Sequence, residues 1–173
     1  DGNPRVVDGT IDLGAYEFGA SVDSSTSYNP VASVTLPVSG TLLSLQSSNF
    51  PDRYVRHSGM QGYIQPIVTD LDKQDASFKV ATGGAPGSIT FESVNVPNHF
   101  LVNEDGNLVL RERPASDDAN AAPFEQSATF ILHPGISDPN AYTIESAAQP
   151  GNFVRHSSYQ LYLNPDDGSD LFK

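Results

Sequence analysis

At 173 residues the chain can bury one sizeable core and carry a short appendage. Nine Lys and Arg against 21 Asp and Glu leave a net charge of −12, a field that repels phosphates and anionic lipid, so neither nucleic acid nor a membrane is an expected partner. Cysteine is absent, which excludes disulfides and thiolate metal sites, and no apolar run approaches the ~20 residues of a membrane-spanning helix.

The chain opens on Asp1-Gly2-Asn3-Pro4-Arg5, without the charged-then-apolar order of a signal peptide, as expected of a fragment whose targeting information lies upstream. In Gly9-Thr10-Ile11-Asp12-Leu13-Gly14-Ala15-Tyr16-Glu17-Phe18, Ile11, Leu13 and Ala15 alternate with polar or small residues, which predicts one strand. No partner strand lies nearby in sequence, so this strand is expected to belong to something larger. The stretch resembles the last coil of secreted right-handed parallel β-helix proteins, which implies that residues 1–20 are the tail of an upstream β-helix domain of the same parent chain. Residues 21–40 are Ser-rich at their start and poor in large apolar groups, and are expected to be a linker.

From Thr41 onward the chain repeats itself. Pro51-Asp52-Arg53-Tyr54-Val55-Arg56-His57-Ser58 returns as Pro150-Gly151-Asn152-Phe153-Val154-Arg155-His156-Ser157, with a degraded copy, Pro97-Asn98-His99-Phe100-Leu101-Val102-Asn103-Glu104, between them. Around each copy the same strands are expected. Leu43 and Leu45, Ile89 and Phe91, and Tyr142 and Ile144 open the units; Tyr54, Phe100 and Phe153 mark the second strands; Ile64, Leu108 with Leu110, and Leu161 with Leu163 mark the third. A fourth strand holds Phe78 and Val80, then Phe130 and Leu132, and is missing from the last unit. Helical periodicity of useful length is not found. Units at about 41–85, 86–137 and 138–173, the last incomplete, predict an all-β chain and a β-trefoil with pseudo-threefold symmetry, with a few-bladed propeller as the alternative.

Ser44 to His57, Asp75-Ala76-Ser77-Phe78, and Asn152 to His156 followed by Leu163 to Phe172 together resemble the arabinose-binding module of α-L-arabinofuranosidases, carbohydrate-binding module family 42. The resemblance implies a secreted β-trefoil that binds L-arabinofuranose side chains of arabinoxylan or arabinan through a His and a downstream Asp of the same unit. Carried over by position, these are His57 and Asp75 in the first unit. The second has Asn103 and Ser127 in their places, and the third keeps His156, whose Asp would fall just past Lys173.

Those residue types suit a small sugar. A carboxylate accepts from two adjacent hydroxyls, and a neutral imidazole donates through one nitrogen while its ring covers an apolar edge. Tyr63, Tyr159 and Tyr162 are candidate platforms for the ring, with ordinary packing as their competing role. Asp166-Asp167-Gly168-Ser169-Asp170 has the oxygen density of a calcium loop but not its closing Glu, so it is expected to be a solvated turn, and no metal or cofactor is expected. Glu92, Glu112 and Glu145 have no second acid at repeated spacing, and no Gly-x-Ser-x-Gly occurs, so the chain is not expected to be an enzyme itself. The expectation is therefore a non-catalytic extracellular module that holds an attached polysaccharide-active domain on arabinose-substituted plant polysaccharide. The alternative is a structural or adhesive cell-surface domain that has lost sugar binding.

Overall fold

Alternating burial runs along the strands of the computed structural model, which describes residues 35–135 and 138–167 together with the backbone of residues 10–13. In β2 (Leu42–Ser47), Leu43 and Leu45 point inward and their neighbours outward; the same period places Val55 of β3 (Arg53–Ser58) and Ile64 of β4 (Gln61–Pro66) inside. After helix α1 (Asp70–Asp75) come β5 (Phe78–Thr82), β6 (Ser88–Ser93), β7 (His99–Glu104) and β8 (Asn107–Glu112). Helix α2 (Ala121–Ser127) leads to β9 (Phe130–Pro134), β10 (Tyr142–Ser146), β11 (Asn152–Ser157) and β12 (Gln160–Pro165). Phe78, Phe91 and Phe130 are fully enclosed at the centre, with ring centroids 6.4 and 5.9 Å apart along the series. Each contributes about 1.5–3 kcal/mol by leaving water.

The aromatic position of each second strand does not join this core. Val55, Leu101 and Val154, one residue further on, turn inward, and Tyr54, Phe100 and Phe153 therefore turn outward. Phe100 is covered from outside by Phe124 of α2 and by the Arg113 guanidinium, 3.9 Å from its ring centroid.

Three hairpins, β3–β4, β7–β8 and β11–β12, each pair over six residues. Their second strands meet, β4 with β8, β8 with β12 and β12 with β4, and one backbone contact is made three times: Ile64 N to Tyr159 O, Leu110 N to Met60 O and Leu163 N to Gly106 O, at 2.8, 2.9 and 2.8 Å. The turns put two residues at positive φ, Gly59-Met60, Asp105-Gly106 and Ser158-Tyr159, the geometry that continues the twist of a two-residue hairpin.

The β-trefoil expectation is corrected by this architecture. The strands form one continuous twelve-stranded sheet that closes on itself as a mainly antiparallel barrel, not three equivalent four-strand units. β5 joins β2 to β6 and β9 joins β6 to β10, both antiparallel. The seam between β10 and β2 is closed instead by β1 (Thr10–Leu13), which runs parallel to both. The four-strand repeat that argued for threefold symmetry is thus met twice, and the third unit has three strands among the described residues.

β1 also answers the expectation of a strand without a partner, since its backbone lies in register with Ser44 to Ser47. The rest of the expected β-helix tail and most of the expected linker lie outside the described residues, as do residues 168–170 of the acidic turn. Two helices stand where none was expected. With six and seven residues they are too short to show helical periodicity, and α1 is specified locally by its cap.

Candidate functional site

Thr69 caps α1. Its Oγ1 accepts from Asp72 N at 3.1 Å, and Asp72 Oδ2 accepts from Thr69 N at 2.8 Å and Val68 N at 3.1 Å. These backbone donors hold the Asp72 carboxyl down at about 2. The cap fixes where the helix begins, and its last residue is Asp75, the carboxylate that the family resemblance pairs with His57.

Strand β3 delivers two side chains to that carboxylate from its end. Arg56 bridges Asp72 and Asp75, with Nη2 2.5 Å from Asp75 Oδ2. His57, on the inward face, brings Nε2 to 3.6 Å from Asp75 Oδ1. His57 and Asp75 therefore come close together, at a distance beyond the direct hydrogen bond expected of them. They do not stand open at the mouth of a cleft, because each is only 6% exposed. The covering group is one that the sequence reading missed. Asn95, in the connection after β6, donates from Nδ2 to Asp75 Oδ1 at 2.6 Å and places Oδ1 3.0 Å from His57 Nε2, while Ser93 Oγ lies 3.1 Å from the same nitrogen. Beside α1, the residues that follow Asp75 help line a cleft of about 410 Å³ formed by Ser44, Tyr54, Ile67, Lys73, Ala76 and Ser77.

The third unit repeats part of the constellation. His156 Nε2 lies 3.3 Å from Asn49 Oδ1, which in turn accepts from Ser47 Oγ at 2.8 Å. The Tyr159 ring is stacked on His156 at 6.3 Å and 18°; Phe50 meets both rings edge-on, and the Arg53 guanidinium lies 3.9 Å over Tyr159. Tyr159 holds φ at 67°, an uncommon conformation for a bulky residue, and is 41% exposed. Burial holds the His156 imidazole below its ordinary range, with the Arg155 and Arg53 charges adding to the effect. Tyr63 and Tyr162 do not join either cluster in any ring contact among the described residues; they face Arg56 and Arg155 across their hairpins.

The missed signal lies four and two residues before each repeat's proline. It reads Ser93-Val94-Asn95 behind His57 and Ser47-Ser48-Asn49 behind His156, but Ser146-Ala147-Ala148 at the position that would back Asn103. The site without the His, at Asn103, also lacks the Asp and the Asn. Each site is therefore built across two units, which a search for His and Asp within one repeat could not show.

Among the described residues no group of three or more His, Asp and Glu is arranged to hold a metal ion. Residues 43–173 match the family described as the alpha-L-arabinofuranosidase B (ABFB) domain. The alpha-L-arabinofuranosidase B of Penicillium canescens is 31% identical over 139 residues, which cover 77% of this chain and 29% of that protein. The Emericella nidulans protein of that name is 28% identical over 138 residues, covering 75% and 26%. A probable alpha-L-arabinofuranosidase B of Aspergillus awamori is 25% identical over 170 residues, covering 98% and 30%. The chain thus spans less than a third of the length of these curated relatives. The expected β-helix tail finds no support in these likenesses, one of which runs over 98% of the chain. A solved GH54 α-L-arabinofuranosidase soaked with a cyclic sulfate inhibitor shares the fold with a TM-score of 0.70 at 23% identity, covering 82% of this chain and 29% of that one. An arabinofuranosidase complexed with arabinofuranosyl-α-1,2-xylobiose gives 0.69 at 24%, with the same coverage.

Proposed function

Because the chain belongs to the alpha-L-arabinofuranosidase B domain family, we propose that it is a non-catalytic module that binds L-arabinofuranose side chains of arabinoxylan or arabinan. In a longer protein it would hold an attached polysaccharide-active domain at its polymer. Such polymers are too large to enter a cell, so the module works outside it.

The observation that carries the reading is the convergence of His57 and Asp75 at 3.6 Å from two elements 18 positions apart, beside a cleft of sugar size. The pair supplies the residue types that hydrogen-bond vicinal hydroxyls, and the His156–Tyr159 cluster, with Tyr159 41% exposed, offers a ring face. A single shallow polar site is worth about 4–6 kcal/mol, or millimolar to tens of micromolar, and two sites on one branched polymer gain by avidity.

Isothermal titration of the chain with arabinoxylan and with arabinan tests this. The expected result is weak binding, reduced by His57→Ala and by Asp75→Asn and abolished when His156→Ala is added. No heat with either polymer overturns sugar binding, and release of free arabinose overturns the accessory role. The enclosure of His57 and Asp75 favours a second reading, in which that pair braces α1 and only the His156–Tyr159 cluster meets sugar. Binding that survives His57→Ala but not His156→Ala would establish it.

A further inference from the structure

The hydrogen bonds around His57 have directions that chemistry fixes. A carboxylate paired with Arg56 only accepts, so the Asn95 atom 2.6 Å from Asp75 Oδ1 is the donating amide nitrogen. Asn95 must then turn its carbonyl oxygen to His57 and Ser93. Ser93 Oγ accepts from Val96 N at 3.3 Å and gives its own proton to Asn95 Oδ1 at 2.9 Å. Both atoms within reach of His57 Nε2 are therefore acceptors, and a third, Asp75 Oδ1, lies beyond them at 3.6 Å.

We propose that Asn95 is the positioning residue of this site: it locks the neutral His57 ring with its proton on Nε2 and fixes the Asp75 carboxylate against it. The ring's proton is then spent inside the protein, and Nδ1 is left as its acceptor. In the arabinofuranose reading the imidazole can then meet a sugar hydroxyl only as an acceptor, through Nδ1. This revises the role first expected of the imidazole, which was donation to the sugar. The inference deepens the arabinofuranose reading and rests on it for the ligand. The chain itself carries a partial second instance, since Asn49 Oδ1, which accepts from Ser47 Oγ, lies 3.3 Å from His156 Nε2.

Nitrogen-15 long-range correlation spectra of the 173-residue chain, labelled at histidine and without sugar, test the lock directly, with the His57 signals assigned by His57→Gln. The expected spectrum at neutral pH shows one tautomer, Nε2 protonated and Nδ1 bare; a proton on Nδ1 or an even mixture overturns the proposal. Asn95→Ala is expected to mix the tautomers and to weaken arabinoxylan binding about tenfold. A folded Asn95→Ala chain with an unchanged tautomer and unchanged affinity also overturns it. If that variant does not fold, the spectrum of the unaltered chain decides. Arabinoxylan that gives no heat with the unaltered chain sinks the sugar reading alone, because the tautomer is read without ligand.

Discussion

Arg56 Nη2 stands 2.5 Å from Asp75 Oδ2 and ties strand β3 to the last turn of α1. Arg56 also reaches Asp72, so one guanidinium bridges both acids on the side of the helix that meets the barrel. The Arg56 and Asp75 side chains are only 12% and 9% exposed, which makes the pair costly to break from one side. Arg56→Ala is expected to lower stability by about 2–3 kcal/mol, somewhat less than a fully buried pair would lose. Equilibrium urea unfolding measures this, and an unchanged midpoint would show that the pair carries no net weight.

Gly62 lies where β4 passes β8. A Cβ there would come within 2.7 Å of the Leu108 carbonyl oxygen, and backbone cannot swing aside as a long side chain can. Gly62→Ala is expected to open that seam and cost about 1–3 kcal/mol. Protection of the Leu110 amide, which donates to Met60 O across the same seam, should fall in hydrogen exchange more than that of the β5–β6 ladder. Equal loss in both would contradict a local origin.

Thr90 and Thr143 occupy matching positions in β6 and β10, are buried, and leave their hydroxyls without a hydrogen-bond partner. A Val at either site fills nearly the same volume and removes an unsatisfied polar group. Thr90→Val should therefore raise stability by about 1 kcal/mol, seen as a higher midpoint with an unchanged denaturant slope. A lower midpoint would mean that the hydroxyl has a partner after all.

His156 makes stability depend on pH with a definite sign. Its folded-state pKa is depressed below the ordinary histidine value of 6.5, so the unfolded chain takes up the proton first as pH falls. The stability contributed at and above neutrality is lost as pH drops below about 6.5 and through the folded value. Thermal unfolding at pH 7.5 and 5.5 should show a larger drop for the unaltered chain than for His156→Gln. Equal drops in the two would remove His156 as the cause.

Most of the barrel's inner surface could be read from alternation. Leu43, Leu45, Ile64, Phe78, Ile89, Phe91, Leu110, Phe130, Ile144 and Leu163 were expected in strands and are buried there. Period two is a strong signal because a strand has only two faces. The His57–Asp75 pairing was also readable, through a repeat and a family likeness. What escaped has physical reasons. α1 spans fewer than two turns, so its evidence lies in the Thr69–Asp72 cap and not in any periodicity. The parallel pairing of β1 with β2 joins segments about thirty residues apart without a hairpin turn to announce it. Arg56 and His57 lie on opposite faces of β3 and yet both come near one carboxylate at the strand's end, which alternation alone does not announce.

A repeat whose working sites lie at its joints cannot be dealt out one copy at a time. The His57 site borrows Asn95 from the neighbour that follows it, and the His156 site borrows Asn49 from the neighbour that closes the ring. A lone copy would carry half of each of two sites and the whole of none: the His57 site needs two consecutive copies, and the His156 site needs the last copy brought back to the first.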